Sequence, residues 1–391
     1  MSTYLDNAAT TPICDEAKQA MVDAMDVYGN PSSTHASGRK AKAIVESVRK
    51  DIANWLACSP SEIVFTSGGT EADNWALTCA VQDLGVTHIY TSALEHHAVG
   101  HTAEGIASSS PCLIHLVPHD ADGVHDLKWL DQQLEKHAKQ GEKAMVSIMH
   151  ANNEVGNLLD LAQVVDSCKR HGALSHSDTV QTLCHYPLNL TELQLDFAAC
   201  AAHKFHGPKG VGFAFIRRGI HGRPLIKGGG QERGARAGTE NVVGIAGLGA
   251  AFNVAMDNMD AEAAHIRSVK TYAIDQLRKA YPEVVFNGLC ADMDKSLYTV
   301  LNFYLPLLHD DSMMTFQLDI HGIEASGGSA CSSGSVQGSH VISALNKKVG
   351  TRISFSRYSQ TADIDALMQA LKKIAINLAA IKAHGLISES H

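Results

Sequence analysis

Several side chains able to do chemistry stand at the ends of short apolar runs: His96 after HIYTSALE, Asp178 after ALSHS and Lys204 after FAACAAH. A carboxylate that closes a buried strand needs a partner or a shifted pKa. Asp178 could therefore pair with a cationic ring nitrogen, cap a helix or close a local Asx turn. Lys204 lies between His203 and His206, ahead of Gly207–Pro208. It is either a solvated loop lysine or, partly desolvated, an amine nucleophile for a carbonyl. Cys331 sits in SGGSACSSGS, a composition that makes a flexible loop. That loop reads as a linker with an incidental thiol, or as a mobile arm that carries a reactive sulfur to and from a site.

The run SEIVFTSGGTEADN reads as strand, Gly-rich turn and helix start. Backbone N–H groups of Ser67 to Thr70 would face an anion such as phosphate; the plainer reading makes Thr70 an N-cap. No GKS or GKT follows, so this is not a nucleotide P-loop. His97 and His101 are four apart, yet no HExxH-type signature accompanies them, and a chain with 22 His produces such pairs by chance. No metal site is expected. Each signal is weak alone. Together they supply a phosphate cradle, a carboxylate for a pyridinium nitrogen, an amine for a carbonyl, an imidazole to stack on a ring and a mobile thiol. Pyridoxal phosphate with a sulfur-accepting cysteine requires that set.

Elements must hold these residues. Strand-like runs are predicted at Ile63–Thr66, His88–Thr91, Cys112–Val117, Ala144–Met149, Ala173–Ser175, Phe197–Ala201 and Val211–Ile216. Helical patterns fall near Glu71–Gln82, Ala98–Ser108, Leu127–Lys139 and Leu161–His171 between them, with an earlier one over Lys40–Ala57. Its apolar stripe comprises Ile44, Val45, Val48, Ile52, Trp55 and Leu56. Continuous apolar strands alternating with helices indicate a mostly parallel sheet covered on both faces, which binds ligands beyond its strands' carboxyl ends. After about residue 260, helices at Ala261–Ala280, Ser312–Ile320 and Asp363–Lys382 mix with strands at Leu297–Phe303 and Thr351–Phe355. The expected organisation is residues 1–15 joining a small domain, 16–260 as a large cofactor-binding α/β domain, and 261–391 as a smaller α+β domain that carries the Cys331 loop.

Composition bounds the function class. The 391 residues are 45% hydrophobic and 19% charged, an ordinary globular balance. A net charge of −9 gives no footprint for tracking a phosphate backbone, which argues against nucleic acid as the primary ligand. Nine cysteines without a CxxC pair read as reduced thiols in a cytoplasmic protein. The N-terminus lacks a signal-peptide pattern, and the longest uncharged stretch, Asn241–Met256, is too short to span a bilayer, so no membrane partner is expected.

The motifs YLDNAATTP, GNPSSTH, FTSGGTEADN, LEHHAV, HANNEVG, HSDTVQT, AAHKFHGPKGVG, GGGQERGARAGTEN and SGGSACSSGS occur in this order between about residues 3 and 380. In them the chain resembles the cysteine desulfurases, fold type I pyridoxal-phosphate-dependent enzymes of the class V aminotransferase type. The resemblance implies a large domain with a mostly parallel seven-stranded sheet, a homodimer, and release of L-alanine from L-cysteine with a persulfide left on Cys331 for an acceptor or scaffold protein. It also implies roles for matching residues. Lys204 would hold the cofactor through its amine and move the substrate's α-proton; Asp178 would keep the ring nitrogen protonated. His96 would stack on the ring and shuttle protons; since a thiolate must attack, His96 is also our candidate to deprotonate Cys331. Gly69, Thr70 and His203 would hold the phosphate, and Thr239 would reach the phosphate of the neighbouring subunit. Gln181 and Asn153 would contact the ring hydroxyl or the substrate. Asn30 and Arg352 would fix the substrate carboxylate, Arg352 by a bidentate fork that lysine cannot copy.

Two positions depart from the family pattern: Ala201 stands where Ser is usual, and Thr179 where Ala is expected to pack under the ring. The segment between Cys331 and Arg352 is also short. A selenocysteine lyase with the same cofactor residues, and an idle interaction protein, are the competing readings; the intact SGGSACSSGS loop favours the desulfurase. Iron–sulfur assembly, tRNA thiolation and DNA phosphorothioation all draw on this family, and no motif chooses among them.

Overall fold

The structure, a computed structural model, describes residues 2–308, 313–327 and 339–383. In chain order the strands are β1 (Thr3–Tyr4), β2 (Ile63–Thr66), β3 (His88–Thr91), β4 (Leu113–Leu116), β5 (Ala144–Ser147), β6 (Leu174–Asp178), β7 (Phe197–Ala201), β8 (Gly212–Ile216), β9 (Val285–Phe286), β10 (Val300–Tyr304), β11 (Ile323–Glu324) and β12 (Thr351–Ser354). Seven of them, β2 to β8, form one sheet in the order β2-β8-β7-β6-β5-β3-β4. The pairs along β7-β6-β5-β3-β4 are parallel, whereas β8 runs antiparallel to both β7 and β2. Strands β2, β3, β5 and β7 are buried along their whole length, as continuous apolar runs require when helices cover both faces.

The helices follow their sequence signals closely where a side chain closes the first turn. Leu127–Lys139 and Leu161–His171 begin after Asp126 and Asp160, whose carboxylates accept from the amides of Trp129 and Gln163. Helix Ala36–Trp55 buries Ala41, Val45, Val48 and Ile52, but Trp55 closes the helix 43% exposed and leaves the predicted stripe. Among the described residues, no single helix is long and apolar enough to cross a membrane. The uncharged stretch forms helix Val242–Asp257, buried at Gly244–Gly249 and at Phe252.

A second core gathers around the antiparallel sheet β12-β10-β9 and the helices Met259–Ala280 and Thr361–Ala383. The N-terminal segment reaches it: β1 pairs in parallel with β11, and Leu5 is fully buried there. From Leu5 the chain runs back toward the large sheet, where Ala8 and Ala9 meet Lys204.

Candidate active site

One cavity of about 280 Å³ opens beyond the carboxyl ends of β6 and β7, walled by Gly69, Thr70, His96, Asn153, Asp178, Gln181, His203, Lys204 and Arg352. Of the twelve site residues expected from the sequence, these nine converge here, whereas Asn30 and Thr239 are not in the wall and Cys331 lies outside the described residues.

At one end, helix Gly69–Gln82 begins with no side-chain cap. Gly68 adopts φ 153° and ψ −173°, a region open in practice only to glycine. A Cβ on Gly69 would stand 2.6 Å from Cγ2 of Val180, so the helix start can approach the wall only without one. The cavity is thus met by the positive end of a helix with uncapped amides, suited to a phosphate. His203 flanks it, with Nδ1 3.2 Å from the Thr10 hydroxyl, and burial lowers its pKa to about 4. A neutral His203 offers that phosphate a hydrogen bond rather than a charge.

Asp178 ends β6, and its Oδ1 accepts the amide of Val180 at 2.8 Å. Burial raises its pKa, while His96, that amide and Lys204 oppose the shift. Asp73 stands in the same wall, buried and pushed well up by desolvation and then by Asp178. Two carboxyls in so small a space call for a cation at the cavity's floor, which a protonated ring nitrogen would provide.

Lys204 closes the turn Ala202–Lys204 after β7. Its Nζ donates to the carbonyls of Ala8 at 2.5 Å and Ala9 at 2.9 Å, and the Ala8 carbonyl also accepts from Nε2 of Gln181 at 3.1 Å. His96 is the N-cap of helix His97–Ser109, its Nδ1 accepting from the amide of Ala98 at 3.1 Å. That bond fixes the proton of a neutral ring on Nε2.

Arg352, on β12, is 1% exposed. It donates to Asp6 Oδ1 at 2.9 Å and to the Asn153 carbonyl at 3.0 Å, and its buried Nε has no partner among the described residues. That nitrogen awaits an acceptor, as a substrate carboxylate would be. Glu154 completes this end: buried, its carboxyl accepts from the Ser339 hydroxyl, and desolvation raises its pKa to about 7. Sequence reasoning passed over Glu154 and Asp73, although HANNEVG and GGTEADN contain them.

The remaining expectations fare differently. Thr179 does not lie under the ring position; it is buried, its hydroxyl donating to the Ala199 carbonyl at 2.8 Å, and Val180 takes the wall instead. Asn30 is exposed in an Asx turn, with Oδ1 accepting from Ser32, and is not part of the wall. Thr239 is exposed beside Ser67, Arg236 and Glu240 in a separate depression. His97 and His101 stack at 4.7 Å, and His97 also lies 4.4 Å from the His340 ring. Cys331 falls outside the described residues.

The uncapped helix end, the buried acid pair, the lysine amine and the orphaned guanidinium nitrogen fit a molecule with a phosphate, a basic ring nitrogen and a carbonyl, with room beside it for an amino acid. Pyridoxal phosphate answers that description.

Known proteins give the same reading. The family model for aminotransferase class-V matches residues 3–367. The cysteine desulfurase IscS of Dictyoglomus turgidum is 37% identical over 389 residues, spanning 97% of this chain and 96% of its own. A cysteine desulfurase of Sinorhizobium fredii is 38% identical over 383 residues, spanning 96% and 97%. Among solved structures, a NifS-like protein superposes with a TM-score of 0.86 at 34% identity, over 97% of this chain and 100% of its own. SspA in complex with cysteine does so with a TM-score of 0.78 at 29% identity, over 92% and 100%.

Proposed function

The chain belongs to the class-V aminotransferase family, among its cysteine desulfurases, and from that membership we infer how its own residues divide the reaction. The fold is that of a fold type I pyridoxal-phosphate enzyme. The observation that carries the division is the meeting of Lys204, Asp178 and the uncapped start of helix Gly69–Gln82 in one cavity with Arg352.

Bound there, pyridoxal phosphate supplies the electron sink that makes the α-proton of L-cysteine acidic and its carbon–sulfur bond cleavable. Gly69, Thr70 and His203 would hold the phosphate, and Asp178 would keep a proton on the ring nitrogen. Lys204 would hold the cofactor through its amine until substrate arrives. Its freed amine, held by the carbonyls of Ala8 and Ala9, then removes the α-proton. Arg352 binds the substrate carboxylate, with Asn153 and Gln181 on the substrate and ring-hydroxyl side. Asn30, outside the wall, is assigned to the substrate carboxylate only by its place in GNPSSTH.

His96 would stack over the ring, and its Nδ1 contact with the Ala98 amide leaves an N–H at Nε2, so we assign it delivery of a proton rather than removal of one from Cys331. The Cys331 thiolate attacks the substrate sulfur. A sulfur–sulfur bond forms, the carbon–sulfur bond breaks, and its electron pair returns to carbon, where protons complete L-alanine. The product on the protein is a persulfide at Cys331, which a sulfur-acceptor protein takes up. Thr239, exposed outside its own cavity, would serve the phosphate of a second subunit, making a homodimer with shared sites.

Purified protein should be yellow and form alanine from cysteine. Lys204→Ala should lose the colour and the activity, and Cys331→Ser should keep the colour while losing sulfide release in the absence of added thiol. Full sulfide release by Cys331→Ser would refute the persulfide assignment.

A further inference from the structure

At the other end of the large sheet, three imidazoles converge from separate elements. His88 opens β3 and His115 lies on the edge strand β4, beside Tyr90 in register. His137 is in the last turn of helix Leu127–Lys139, which packs over that face. One ring nitrogen from each lies within 4.8 Å of the others. His88 Nδ1 is 2.9 Å from His115 Nε2, and the His88 and His137 rings sit 3.8 Å apart.

Glu142, in the loop between that helix and β5, decides which nitrogens are available. Its Oε2 lies 3.1 Å from His88 Nε2 and 2.6 Å from His137 Nδ1. A carboxylate only accepts, so both of those nitrogens carry hydrogen, and the lone pairs left over are on His88 Nδ1 and His137 Nε2. Moving the His115 proton to Nδ1 frees its Nε2 as a third donor without net loss of a proton. Burial, followed by the neighbouring rings, lowers the pKa of His88 and His115, which keeps them in the neutral form that ligates. A carboxylate that accepts from the outer nitrogens of two histidines, here with their rings tilted 31° to each other, is the kind of partner that orients imidazoles around zinc. A second feature points the same way. The Tyr90 hydroxyl, whose ring stacks on His115 at 4.7 Å, is buried with no hydrogen-bond partner among the described residues.

We propose that His88, His115 and His137 form a binding site for a divalent transition metal of the zinc type, with Glu142 as the residue that fixes their tautomers. Three neutral imidazoles suit such an ion, and a water would complete the tetrahedron and satisfy Tyr90. Closure needs the longest nitrogen separation to contract to about 3.4 Å, the edge of a tetrahedron with Zn–N near 2.1 Å, and the His88 and His137 rings, 3.8 Å apart, to splay so that their in-plane lone pairs converge. The flexible ammonium of Lys136, close enough to disfavour protonated His88 and His115, lies on the exposed side and can swing away. The ion would pin the edge strand β4 to the covering helix, remote from Asp178 and Lys204 at the opposite strand ends. The three histidines are far apart in sequence and belong to no ligand motif, which is why spacing alone gave no hint of them.

The test uses the full-length holoenzyme, stripped with EDTA, reloaded with Zn²⁺ in the absence of cysteine, desalted and analysed for metal, with affinity measured against a chromophoric chelator. One equivalent per chain is expected, weakened at least 100-fold in His115→Ala and in His137→Gln, and about 10- to 100-fold in Glu142→Gln. Alanine formation should be unchanged in His115→Ala, which shows that the fold and cofactor site survive. Co²⁺ bound in place of zinc should show no thiolate charge-transfer band. Failure of wild-type protein to retain zinc, equal retention by His115→Ala, or a thiolate–cobalt band would overturn the proposal.

Discussion

The Glu154 carboxyl accepts a hydrogen bond from the Ser339 hydroxyl, joining the HANNEVG turn to the start of helix His340–Ala344. Ser339 follows directly on the segment that carries Cys331, so this contact fixes that segment's downstream root to the cavity wall.

The burial of Glu154 makes stability depend on pH. Burial raises the Glu154 pKa from 4.5 to about 7, against the opposing influence of Ser339, Arg352 and His96. Between these values the folded protein binds more protons than the unfolded chain, so stability falls as pH rises. The favourable contribution is complete below pH 4.5 and gone above about 7. Glu154→Gln should therefore match the wild type near pH 4 and exceed it near pH 8, by on the order of 3 kcal/mol. Denaturant unfolding at the two values measures this; a pH-independent difference would rule it out.

Arg352 is tied to Asp6 and to the Asn153 carbonyl while its Nε lacks a partner. Lysine reaches the same place as a point charge and cannot hold a carboxylate through two parallel bonds. Arg352→Lys should raise KM for L-cysteine ~10- to 100-fold, corresponding to the ~1.5–3 kcal/mol of a charged hydrogen bond. The cofactor's absorbance should be intact. A loss of colour without a change in KM would place Arg352 in the scaffold instead.

Ala201 lies in the cavity wall, its Cβ 3.9 Å from where a Cβ on Gly69 would stand. Ala201→Ser adds a hydroxyl at the phosphate end and should slow cofactor loss on dialysis roughly fivefold, the effect of a ~1 kcal/mol hydrogen bond. Equal loss would refute the role assigned to this position.

Gly69→Ala should weaken cofactor binding at least ~10-fold, because the new methyl meets Val180 and forces the wall inward. Val180→Ala in the same chain should restore much of the affinity. The double-mutant cycle reads this as coupling; additive losses would sink the steric account.

How much could be read from the sequence follows from what holds each element. Strands β2, β3 and β7 match their predicted limits because they are short, apolar and buried on both faces. Strand β6 runs three residues past Ser175, the predicted end, because its polar side chains are all partnered: Ser175 with Asp196, His176 with Ser147 and Ser177 with the Ile148 carbonyl. Helix Val242–Asp257 showed no stripe since nearly every side of it is apolar. In the site, residues at strand ends were legible by position and type. Glu154 and Asp73 were not, for their importance lies in burial and in neighbours distant along the chain. Thr179 was misplaced by the twofold alternation of extended backbone, which turned Val180 rather than Thr179 toward the cavity.

The first nine residues touch both halves of the site, with Asp6 on Arg352 and the carbonyls of Ala8 and Ala9 on Lys204, while Thr3 and Tyr4 are stitched to β11. A fusion partner or trimming at the amino end would consequently be felt as altered nucleophilicity at position 204 and a loosened guanidinium at 352.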